Sequence, residues 1–358
     1  MGVAMNEDAL LLGRQAPATS PGAGREAWRT RATDHYDPAT RRFFNPWKDT
    51  GKGLSDLLRW WATANRRPWP SRVENATYAP LPSNVPGGRV GVTYVGHASA
   101  LVRVGKTTIL TDPHFSTHAG AYGRFGAPRI RPPGVAPGAL PPIGLVFVSH
   151  SHYDHLDPSS LRWLEEHHSP LFVTCLGLKV PLEREGLRRV VELDWWDAID
   201  AGDVRLTVTP AQHWSNRSAH DRFATLWGGC HVRHHDGATL YFAGDSGYAP
   251  CFGDIRARLG APDVALLPIG AYEPRWIMQD NHMNPDDAVR AHLDLGARTS
   301  IGIHFGSFRL SDEGFEDPVR DLAVARRLHD VAPEAFRVLD VGESVVLPDT
   351  AARGPAAR

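Results

Sequence analysis

This chain of 358 residues has few cysteines, no long hydrophobic run and no excess of charge of either sign. Its longest apolar stretches, such as residues 264–269, are far shorter than the roughly 20 residues of a membrane-spanning helix. The three cysteines, Cys175, Cys230 and Cys251, are too few for a disulfide framework or a thiolate zinc site, so reduced thiols in a cytoplasmic protein are expected. The formal net charge of −1 argues against the broad basic surface of a nucleic-acid-binding protein.

The composition indicates one sizeable folded domain between two irregular ends. Hydrophobic residues make up 42% of the chain, which is typical of a globular protein. Residues 1–40 are rich in Ala, Gly, Pro and Arg and have no hydrophobic period, so a mobile leader is predicted there, without the apolar core of an export signal. We expect a single domain over residues 41–350 and a short tail over residues 351–358.

Residues 54–63 form an amphipathic segment near the start of this domain. Leu54, Leu57, Leu58 and Trp61 recur at helical spacing, which places them on one face of a short helix. Such a face is usually packed on the protein core, but it also suits an interfacial helix that lies on a membrane. The sequence leaves both interpretations open.

Short β-rich runs recur from residue 89 onward, and helix start signals interrupt them. Asp157-Pro158, Asn284-Pro285 and Asp317-Pro318 each join an N-capping residue to a proline at the first helical position. The predicted strands cover residues 90–95, 98–104, 107–110, 145–148, 171–174, 190–193, 204–209, 239–242, 264–267 and 300–303. Two runs of strands, each followed by helices, predict an α/β fold of the four-layer αββα sandwich type.

The most specific motif directly follows the apolar run 145–148. His150, His152, Asp154 and His155 form a His-x-His-x-Asp-His motif in the polar loop after this strand. Imidazoles and carboxylates are the usual ligands of Zn²⁺ and similar divalent ions, and adjacent histidines have little structural use in an apolar context. The motif therefore predicts a metal site in preference to a hydrated surface loop.

Three further candidate ligands, His213, Asp245 and His304, follow later predicted strands. The predicted ligand sets are His150, His152 and His213 for one ion, Asp154, His155 and His304 for a second, and Asp245 as the bridge. Two close cations that share a bridging oxygen are an arrangement that hydrolyses phosphate esters, amides and lactones. The sequence thus predicts two divalent metal ions, with Zn²⁺ as the expected metal, and a hydrolytic reaction.

This ligand pattern resembles that of the metallo-β-lactamase superfamily, whose fold is the αββα sandwich expected above. A narrower resemblance, over about residues 41–347, is to the family of N-acylphosphatidylethanolamine-hydrolysing phospholipases D. Two motifs are specific to this branch, namely Leu193-Asp194-Trp195-Trp196 and the run from Gly270 to Trp276. Other shared motifs are Asn45-Pro46-Trp47, Val95-Gly96-His97-Ala98, Thr111-Asp112-Pro113, Gln212-His213-Trp214 and Phe242-Ala243-Gly244-Asp245.

The resemblance implies a di-zinc phosphodiesterase of the phospholipase D type with the seven ligands named above. Such an enzyme hydrolyses N-acylphosphatidylethanolamine to an N-acylethanolamine and phosphatidate, and members of the family form homodimers. A hydroxide that bridges the ions would attack phosphorus in line, while Asp245 bridges the metals and Asp154 receives the proton of the water. We therefore expect a cytoplasmic protein that is peripheral on the inner membrane face and binds a phospholipid or another phosphodiester.

Asn281 and His282 stand where this family has a Gln-His pair that faces the substrate phosphate. The resemblance implies that both residues bind substrate, and it makes His282 a candidate for contacting the phosphate or protonating the leaving oxygen. The side chain of Asn281 is shorter than that of glutamine, so an altered position of the phosphate is expected. An ordinary hydrated loop is the alternative role of this pair.

Two residues upstream of the motif are candidates for supporting the ligands. Asp112 is expected either to orient a liganding histidine or to form a strand-exit turn with Pro113. His97 follows a predicted strand and either faces the site or has a hydrogen-bonded structural role.

Other charged residues near the motifs also have open roles. Tyr272, Glu273 and Arg275 are predicted to form a buried ion-paired brace around the site, with substrate contact as the alternative. The loop arginines Arg124, Arg129 and Arg131 either meet anionic head groups or lie on a hydrated surface.

Two rival functions are consistent with the same motifs. A metallohydrolase of a soluble substrate, such as a sugar-phosphate or cyclic-nucleotide phosphodiester or a lactone, would need no apolar entrance. A metal-containing binding protein without catalysis would have a broken ligand set, whereas all seven positions are intact here.

Overall fold

The computed structural model describes residues 27–30, 33–80, 82–218 and 220–347. Within these residues the strands are β1 (Tyr36–Asp37), β2 (Arg42–Phe43), β3 (Val90–Gly96), β4 (Ser99–Val104), β5 (Thr107–Thr111), β6 (His118–Ala119), β7 (Ala127–Pro128), β8 (Leu145–Val148), β9 (Leu171–Cys175), β10 (Val190–Leu193), β11 (Ala198–Ala201), β12 (Val204–Thr209), β13 (Gly229–His234), β14 (Thr239–Phe242), β15 (Val264–Pro268), β16 (Thr299–Ile303), β17 (Phe336–Arg337) and β18 (Ser344–Leu347). The helices are α1 (Leu54–Thr63), α2 (Pro158–His168), α3 (Lys179–Arg184), α4 (Cys251–Leu259), α5 (Arg275–Met278), α6 (Pro285–Leu295) and α7 (Asp317–Leu328). Short 3₁₀ helices cover Ala27–Thr30, Ala121–Gly123 and Pro137–Ala139.

Two seven-stranded mixed sheets form the centre of the fold. The strand order is β10-β9-β8-β5-β4-β3-β18 in the first sheet and β11-β12-β13-β14-β15-β16-β17 in the second. Strands β5, β8, β9 and β10 run parallel in the first sheet, and β14, β15 and β16 run parallel in the second. Strand β12 has the direction of β14, because both are antiparallel to β13. Strands of one direction end at the same edge of a sheet, so the residues that follow them are brought together.

The two sheets pack face to face over one hydrophobic core, and helices cover their outer faces. Strand β8 shows the alternation: Leu145 and Phe147 belong to the core between the sheets, whereas Val146 and Val148 pack with α2 residues such as Leu161. Residues of β15 alternate in the same way between this core and a cluster with α4, α6 and α7. The predicted α/β class and the four-layer αββα sandwich are confirmed.

The sequence patterns identify most of the elements. All ten predicted strands are present, and the three proline-containing signals start α2, α6 and α7. Asn284 caps α6 by accepting a hydrogen bond from Asp287 N at 2.8 Å, and Gly296 ends the helix in the left-handed conformation. Helix α7 includes Asp317 itself, so it begins one residue earlier than its predicted start at Pro318.

Part of the expected mobile leader, residues 1–40, is packed on the domain. Tyr36 and Phe43 are buried and pair across the β1-β2 hairpin, with ring centroids 4.7 Å apart. The His35 ring lies between two carboxylates, 2.8 Å from Asp34 Oδ1 and 2.7 Å from Asp194 Oδ1. These aromatic and polar contacts make the folded part begin before residue 40. Residues 1–26 and the expected tail 351–358 lie outside the described residues.

Helix α1 lies at the surface and has no buried residue. Leu54, Leu58 and Trp61 are 73%, 58% and 77% exposed, so the apolar stripe is not packed on the core. The segment is held by polar contacts instead, because Trp60 Nε1 and the backbone N of Asn65 both donate to the buried Asp312 carboxylate, at 3.2 and 3.1 Å. This finding contradicts the first interpretation of residues 54–63. Across the described residues, no helix combines the length and the hydropathy that crossing a membrane requires.

Candidate metal centre

The polar loop after β8 begins at the edge where the parallel strands of the first sheet end. Asp112, which follows β5, accepts hydrogen bonds from Ser149 N (2.7 Å) and Ser149 Oγ (2.6 Å) and so joins two neighbouring strand ends. The loop then turns tightly, with the backbone N–H groups of His155 and Leu156 donating to His152 O. This turn brings the side chains of the His-x-His-x-Asp-His motif close to one another.

Three histidines form a first group of candidate ligands. His150 Nε2 and His213 Nε2 lie 2.9 and 3.1 Å from His152 Nδ1. His213 follows β12 in the second sheet, and its Nδ1 is 2.9 Å from Asn281 O, which leaves Nε2 free to face the other rings. His150 Nδ1 is 2.9 Å from Ser149 Oγ. Nitrogen atoms from both sheets therefore converge, all within 4.8 Å of one another.

A second group contains Asp154, His155 and His304. The Nε2 atoms of His155 and His304 are 3.1 Å apart, and they lie 3.4 and 3.3 Å from Asp154 Oδ2. His97 Nε2 approaches the same carboxylate oxygen at 2.8 Å. His97 therefore faces the site and joins this group as a fourth candidate ligand.

Asp245, which follows β14, lies between the two groups. Its Oδ2 is 3.1 Å from both His155 Nε2 and His304 Nε2, and 3.8 Å from His213 Nε2. Among the described residues, Asp245 Oδ1 and His152 Nε2 are buried without a hydrogen-bond partner. Buried polar atoms normally have a partner, and a bound ion provides one. This set of imidazole and carboxylate donors fits divalent metal ions.

Burial and the neighbouring carboxylates set the charge of the histidines. Burial lowers the pKa of His152 to about 4 and the pKa of His97 to about 3, so both rings are neutral near pH 7. Burial also opposes charge on His155, but the carboxylates of Asp245 and Asp154 outweigh it and raise the pKa of that ring. Neutral imidazole is the form that binds a metal ion, and the carboxylates supply compensating negative charge.

Several residues at the site have the left-handed backbone conformation. The φ angle is +58° at His97, +34° at Asp112 and +63° at His304, a region that residues with a Cβ rarely adopt. Gly270 packs directly on His304, because a Cβ at residue 270 would lie 2.1 Å from His304 O. Strained backbone of this kind clusters at functional sites, and no sequence pattern reveals it.

Asp112 has the geometry of a carboxylate that orients a liganding histidine. Its Oδ2 is 2.6 Å from His155 Nδ1, and both side chains are wholly buried. The contact leaves His155 Nε2 directed at the second ligand group. This arrangement corresponds to the first of the two roles expected of Asp112.

Asn281 and His282 lie beside Asp245 in the wall of the site. His282 Nδ1 is 3.8 Å from Asp245 Oδ2, and burial lowers the pKa of this histidine to about 4. The carbonyl oxygen of Asn281 contacts His213, while its side-chain Oδ1 is buried without a hydrogen-bond partner among the described residues. Both residues therefore lie against candidate ligands.

The predicted brace has a different ion partner from the expected one. Arg275 donates to Asp287 Oδ2 at 2.5 Å and to His282 O at 3.0 Å. The Glu273 carboxylate instead accepts the backbone N–H of Arg275 at 3.1 Å, and Tyr272 donates to a carboxylate of α7 at 2.5 Å. The prediction that the side chains of Glu273 and Arg275 form an ion pair, based on their closeness in sequence, is therefore wrong. The brace supports His282 through its backbone.

A pocket of about 620 Å³ opens onto the candidate ligands His152, Asp154 and Asp245. Its other lining residues include the apolar side chains Leu57, Trp60, Trp214, Ile277, Met278 and Leu310 and the cations Lys52, Arg217 and Arg222. Helix α1 therefore contributes directly to the wall of the pocket. Its periodic stripe is a sequence signal for this role, whereas no pattern in the sequence singles out Arg217 or Arg222.

The loop arginines are not part of this pocket. Arg129 is held inside the protein, where it donates to His114 O at 2.6 Å and to Ser116 O at 3.0 Å. Arg131 pairs with Asp340 at 2.5 Å. These two arginines have structural partners, and Arg124 is exposed.

Comparison with known proteins places this site in a family. Residues 107–305 match the family described as a beta-lactamase superfamily domain. An N-acyl-phosphatidylethanolamine-hydrolyzing phospholipase D 1 from Caenorhabditis elegans is 35% identical over 266 residues, which cover 70% of this chain and 74% of that protein. An uncharacterized protein from Mycobacterium tuberculosis is 37% identical over 259 residues, which cover 69% of this chain and 68% of that protein.

The fold has solved counterparts as well. The structure of Igni18, a metallo hydrolase from Ignicoccus hospitalis, aligns with a TM-score of 0.54 and 22% identity, and covers 73% of this chain and 99% of that one. All seven predicted ligands lie within the region that matches the family. The chain therefore belongs to the metallo-β-lactamase superfamily as a metal-dependent hydrolase, and its expected relationship to the N-acylphosphatidylethanolamine-hydrolysing phospholipases D is confirmed.

Proposed function

We propose that this chain is a two-metal phosphodiesterase of the phospholipase D type that hydrolyses N-acylphosphatidylethanolamine to an N-acylethanolamine and phosphatidate. One observation carries the proposal: helix α1 forms part of the apolar wall of the pocket over the candidate metal centre, and its remaining apolar side chains are exposed. A phospholipid needs both features, because its phosphodiester must reach the ligand cluster while its acyl chains stay out of water. The relatives that carry this activity in their names support the same reaction.

Two divalent ions, with Zn²⁺ as the expected metal, are assigned to the two ligand groups. The assigned ligands are His150, His152 and His213 for one ion, Asp154, His155 and His304 for the other, and Asp245 for both. Imidazole and carboxylate donors suit Zn²⁺. When bound, the two ions supply an activated water and neutralise the charge that develops on the phosphate.

The side chains around these ligands are assigned to proton transfer and substrate orientation. Asp154 carries an acceptor oxygen at the centre of the second group and receives the proton of the attacking water. His282 lines the pocket next to Asp245, and its buried Nδ1 has no hydrogen-bond partner among the described residues. We assign His282 to the phosphate or the leaving oxygen, and the amide of Asn281 to holding the phosphate.

Exposed apolar side chains near the pocket suit contact with a membrane surface. They are Leu54, Leu58 and Trp61 on α1, and Tyr122 and Phe125 in the loop after β6. Ala119, the last residue of β6, itself lines the pocket, so this loop and α1 both extend from its wall. Side chains of this kind insert at the boundary between lipid headgroups and acyl chains. We place the protein on a membrane surface as a peripheral protein.

Mass spectrometry of the products tests the reaction. Metal-loaded protein is incubated with vesicles of N-acylphosphatidylethanolamine in phosphatidylcholine and, in parallel, with a small activated phosphodiester. N-Acylethanolamine and phosphatidate are expected, and both should be absent with Asp245→Asn. Release of diacylglycerol would contradict the position of cleavage.

Two other outcomes correspond to the rival functions. Hydrolysis of the small diester alone would overturn the lipid assignment and favour a soluble phosphodiester or a lactone as substrate. Full metal loading without hydrolysis of any phosphodiester would favour a metal-containing binding protein.

A further inference from the structure

Arg222 lines the pocket as a cation without an anionic partner among the described residues. The other two cations of the pocket are engaged: Lys52 Nζ lies 2.7 Å from Asp280 Oδ2, and Arg217 donates to two loop carbonyls at 2.9 and 2.8 Å. Arg222 has no such contact, and its Nε is buried without a hydrogen-bond partner in the described part of the chain. A charged donor in this condition needs an acceptor from outside the protein.

Aromatic rings hold the Arg222 guanidinium next to the metal ligands. Its Cζ lies 5.1 Å from the ring centroid of Trp214 and 5.1 Å from that of Phe223. Trp214 also contacts His152, and the two rings are roughly perpendicular with centroids 4.8 Å apart. The guanidinium and a candidate metal ligand thus contact the same indole ring. Stacking positions a guanidinium without neutralising it, so its N–H groups remain available.

We propose that Arg222 extends the substrate range of the site beyond N-acylphosphatidylethanolamine, by binding a second anionic group, a carboxylate or a phosphate, carried by the same molecule as the phosphodiester. This inference rests on the proposed function, because it takes the phosphodiester to lie at the metal centre. Arg222 lines the same pocket as His152 and Asp245, so it suits a group a few bonds from phosphorus, such as the carboxylate of a serine-type headgroup. Arg222 thereby makes the site prefer headgroups with an additional negative charge, while the ethanolamine headgroup of the proposed substrate is accepted without this contact.

Titration calorimetry with two soluble ligands tests this assignment without turnover. O-Phosphoserine and phosphoethanolamine share a phosphate and an amine and differ by one carboxylate. We expect metal-loaded protein to bind phosphoserine about tenfold more tightly, since a charge-assisted pair with a guanidinium is a strong hydrogen bond. Arg222→Gln should abolish this preference and leave the affinity for phosphoethanolamine unchanged.

Two further variants control for charge and stacking. Arg258 also stacks on a tryptophan, with Cζ 4.2 Å from the Trp196 ring, but it does not line the pocket. Arg258→Gln should therefore keep the wild-type preference. Arg222→Lys retains the charge but loses the planar pair of donors, so it should keep only part of the preference. Metal content and thermal midpoint of each variant show that the site and the fold are intact.

Some calorimetric results would overturn the proposal. Equal affinity of the wild-type protein for both ligands would do so directly. An equal loss of both affinities in Arg222→Gln would also overturn it, because Arg222 would then hold the phosphate at the metal centre.

A lipid experiment separates the sources of the anionic group. N-Acylphosphatidylserine and N-acylphosphatidylethanolamine are compared in phosphatidylcholine vesicles with and without phosphatidylglycerol. A preference for the serine lipid that disappears in Arg222→Gln supports the proposal. An Arg222-dependent rate that follows the phosphatidylglycerol content instead overturns it, because the group then belongs to a neighbouring lipid. If neither lipid is hydrolysed while the calorimetric preference persists, the proposed function fails and the assignment of Arg222 stands.

Discussion

Asp112 and Asp263 are buried carboxylates that each accept the backbone N–H and the hydroxyl of one residue, at different ends of the strands. Asp112, after β5, accepts from the backbone N and the hydroxyl of Ser149 at 2.7 and 2.6 Å. Asp263, before β15, accepts from the backbone N and the hydroxyl of Thr239 at 2.9 and 2.8 Å. Asp112 also contacts a candidate metal ligand, His155, at 2.6 Å. The two residues therefore form a matched pair for separating metal support from general stability.

Asp112→Asn is expected to weaken metal binding by about 10- to 100-fold, because an amide cannot hold the imidazole of His155 as the carboxylate does. Asp263→Asn removes a similar buried carboxylate and should leave the metal affinity unchanged. Competition with a chromophoric chelator measures both affinities. Equal metal affinities in the two variants would contradict the orienting role of Asp112.

The two ligand groups predict the metal content of variants. The wild-type chain should bind two ions, and replacing one ligand should mainly empty the group to which it belongs. His152→Ala and His304→Ala are each expected to retain about one tightly bound ion. Elemental analysis after dialysis measures the content, and a wild-type value of one ion per chain would contradict the assignment of two groups.

The exposed stripe of α1 predicts a change in membrane binding without a change in stability. Replacing Leu54, Leu58 and Trp61 together by serine should reduce binding to phospholipid vesicles at least about tenfold, through the loss of apolar surface that can be buried. These side chains are already exposed, so the free energy of unfolding should change by less than about 0.5 kcal/mol per substitution. Vesicle sedimentation and thermal unfolding measure the two effects.

A matched control for this variant lies on α7. Leu328 is 72% exposed and does not line the pocket, so Leu328→Ser should leave vesicle binding intact. Hydrolysis of a small diester should be unchanged in both variants. Undiminished vesicle binding of the α1 variant would rule out the docking role of this helix.

The raised pKa of His35 predicts that the folded protein loses stability as the pH rises. Burial opposes its charge, but hydrogen bonds and charges from Asp194 and Asp34 outweigh burial and raise its pKa above the usual 6.5. A raised pKa in the folded state stabilises the fold fully below pH 6.5, and this contribution is lost as the pH rises through the folded value. His35→Gln should therefore flatten the decrease of the thermal midpoint above pH 6.5. Parallel curves for the variant and the wild type would contradict this prediction.

The features that the sequence predicts are those that local patterns encode. The metal motif is recognisable because His150, His152 and Asp154 follow one strand, and the apolar strands are recognisable by composition. Strand β18 forms by pairing with β3, about 250 residues earlier in the chain, and such pairing leaves little local signal. The stripe of α1 is visible in the sequence, but its exposure depends on contacts with the distant Asp312.

The contacts that support the site could not be predicted either, because they join residues whose pairing leaves no local signal in the sequence. Arg275 pairs with Asp287, on the next helix, and not with its sequence neighbour Glu273. The guanidinium of Arg222 is positioned by its contact with the Trp214 ring. These contacts follow from how separate loops meet above the strands, which short-range spacing does not encode.

The candidate ligands come from both sheets, with His150 and His155 following the first and His213 and His304 following the second. Each sheet has its own ladder of hydrogen bonds, whereas the two sheets meet through side-chain packing and a few hydrogen bonds, such as that from His304 N to His97 O at 2.7 Å. Bound ions would cross-link the two sheets, so loss of the ions should destabilise the contact between the sheets before the hydrogen bonds within either sheet break. In a cell short of metal, the chain would become more susceptible to proteases, and its abundance would follow the metal supply.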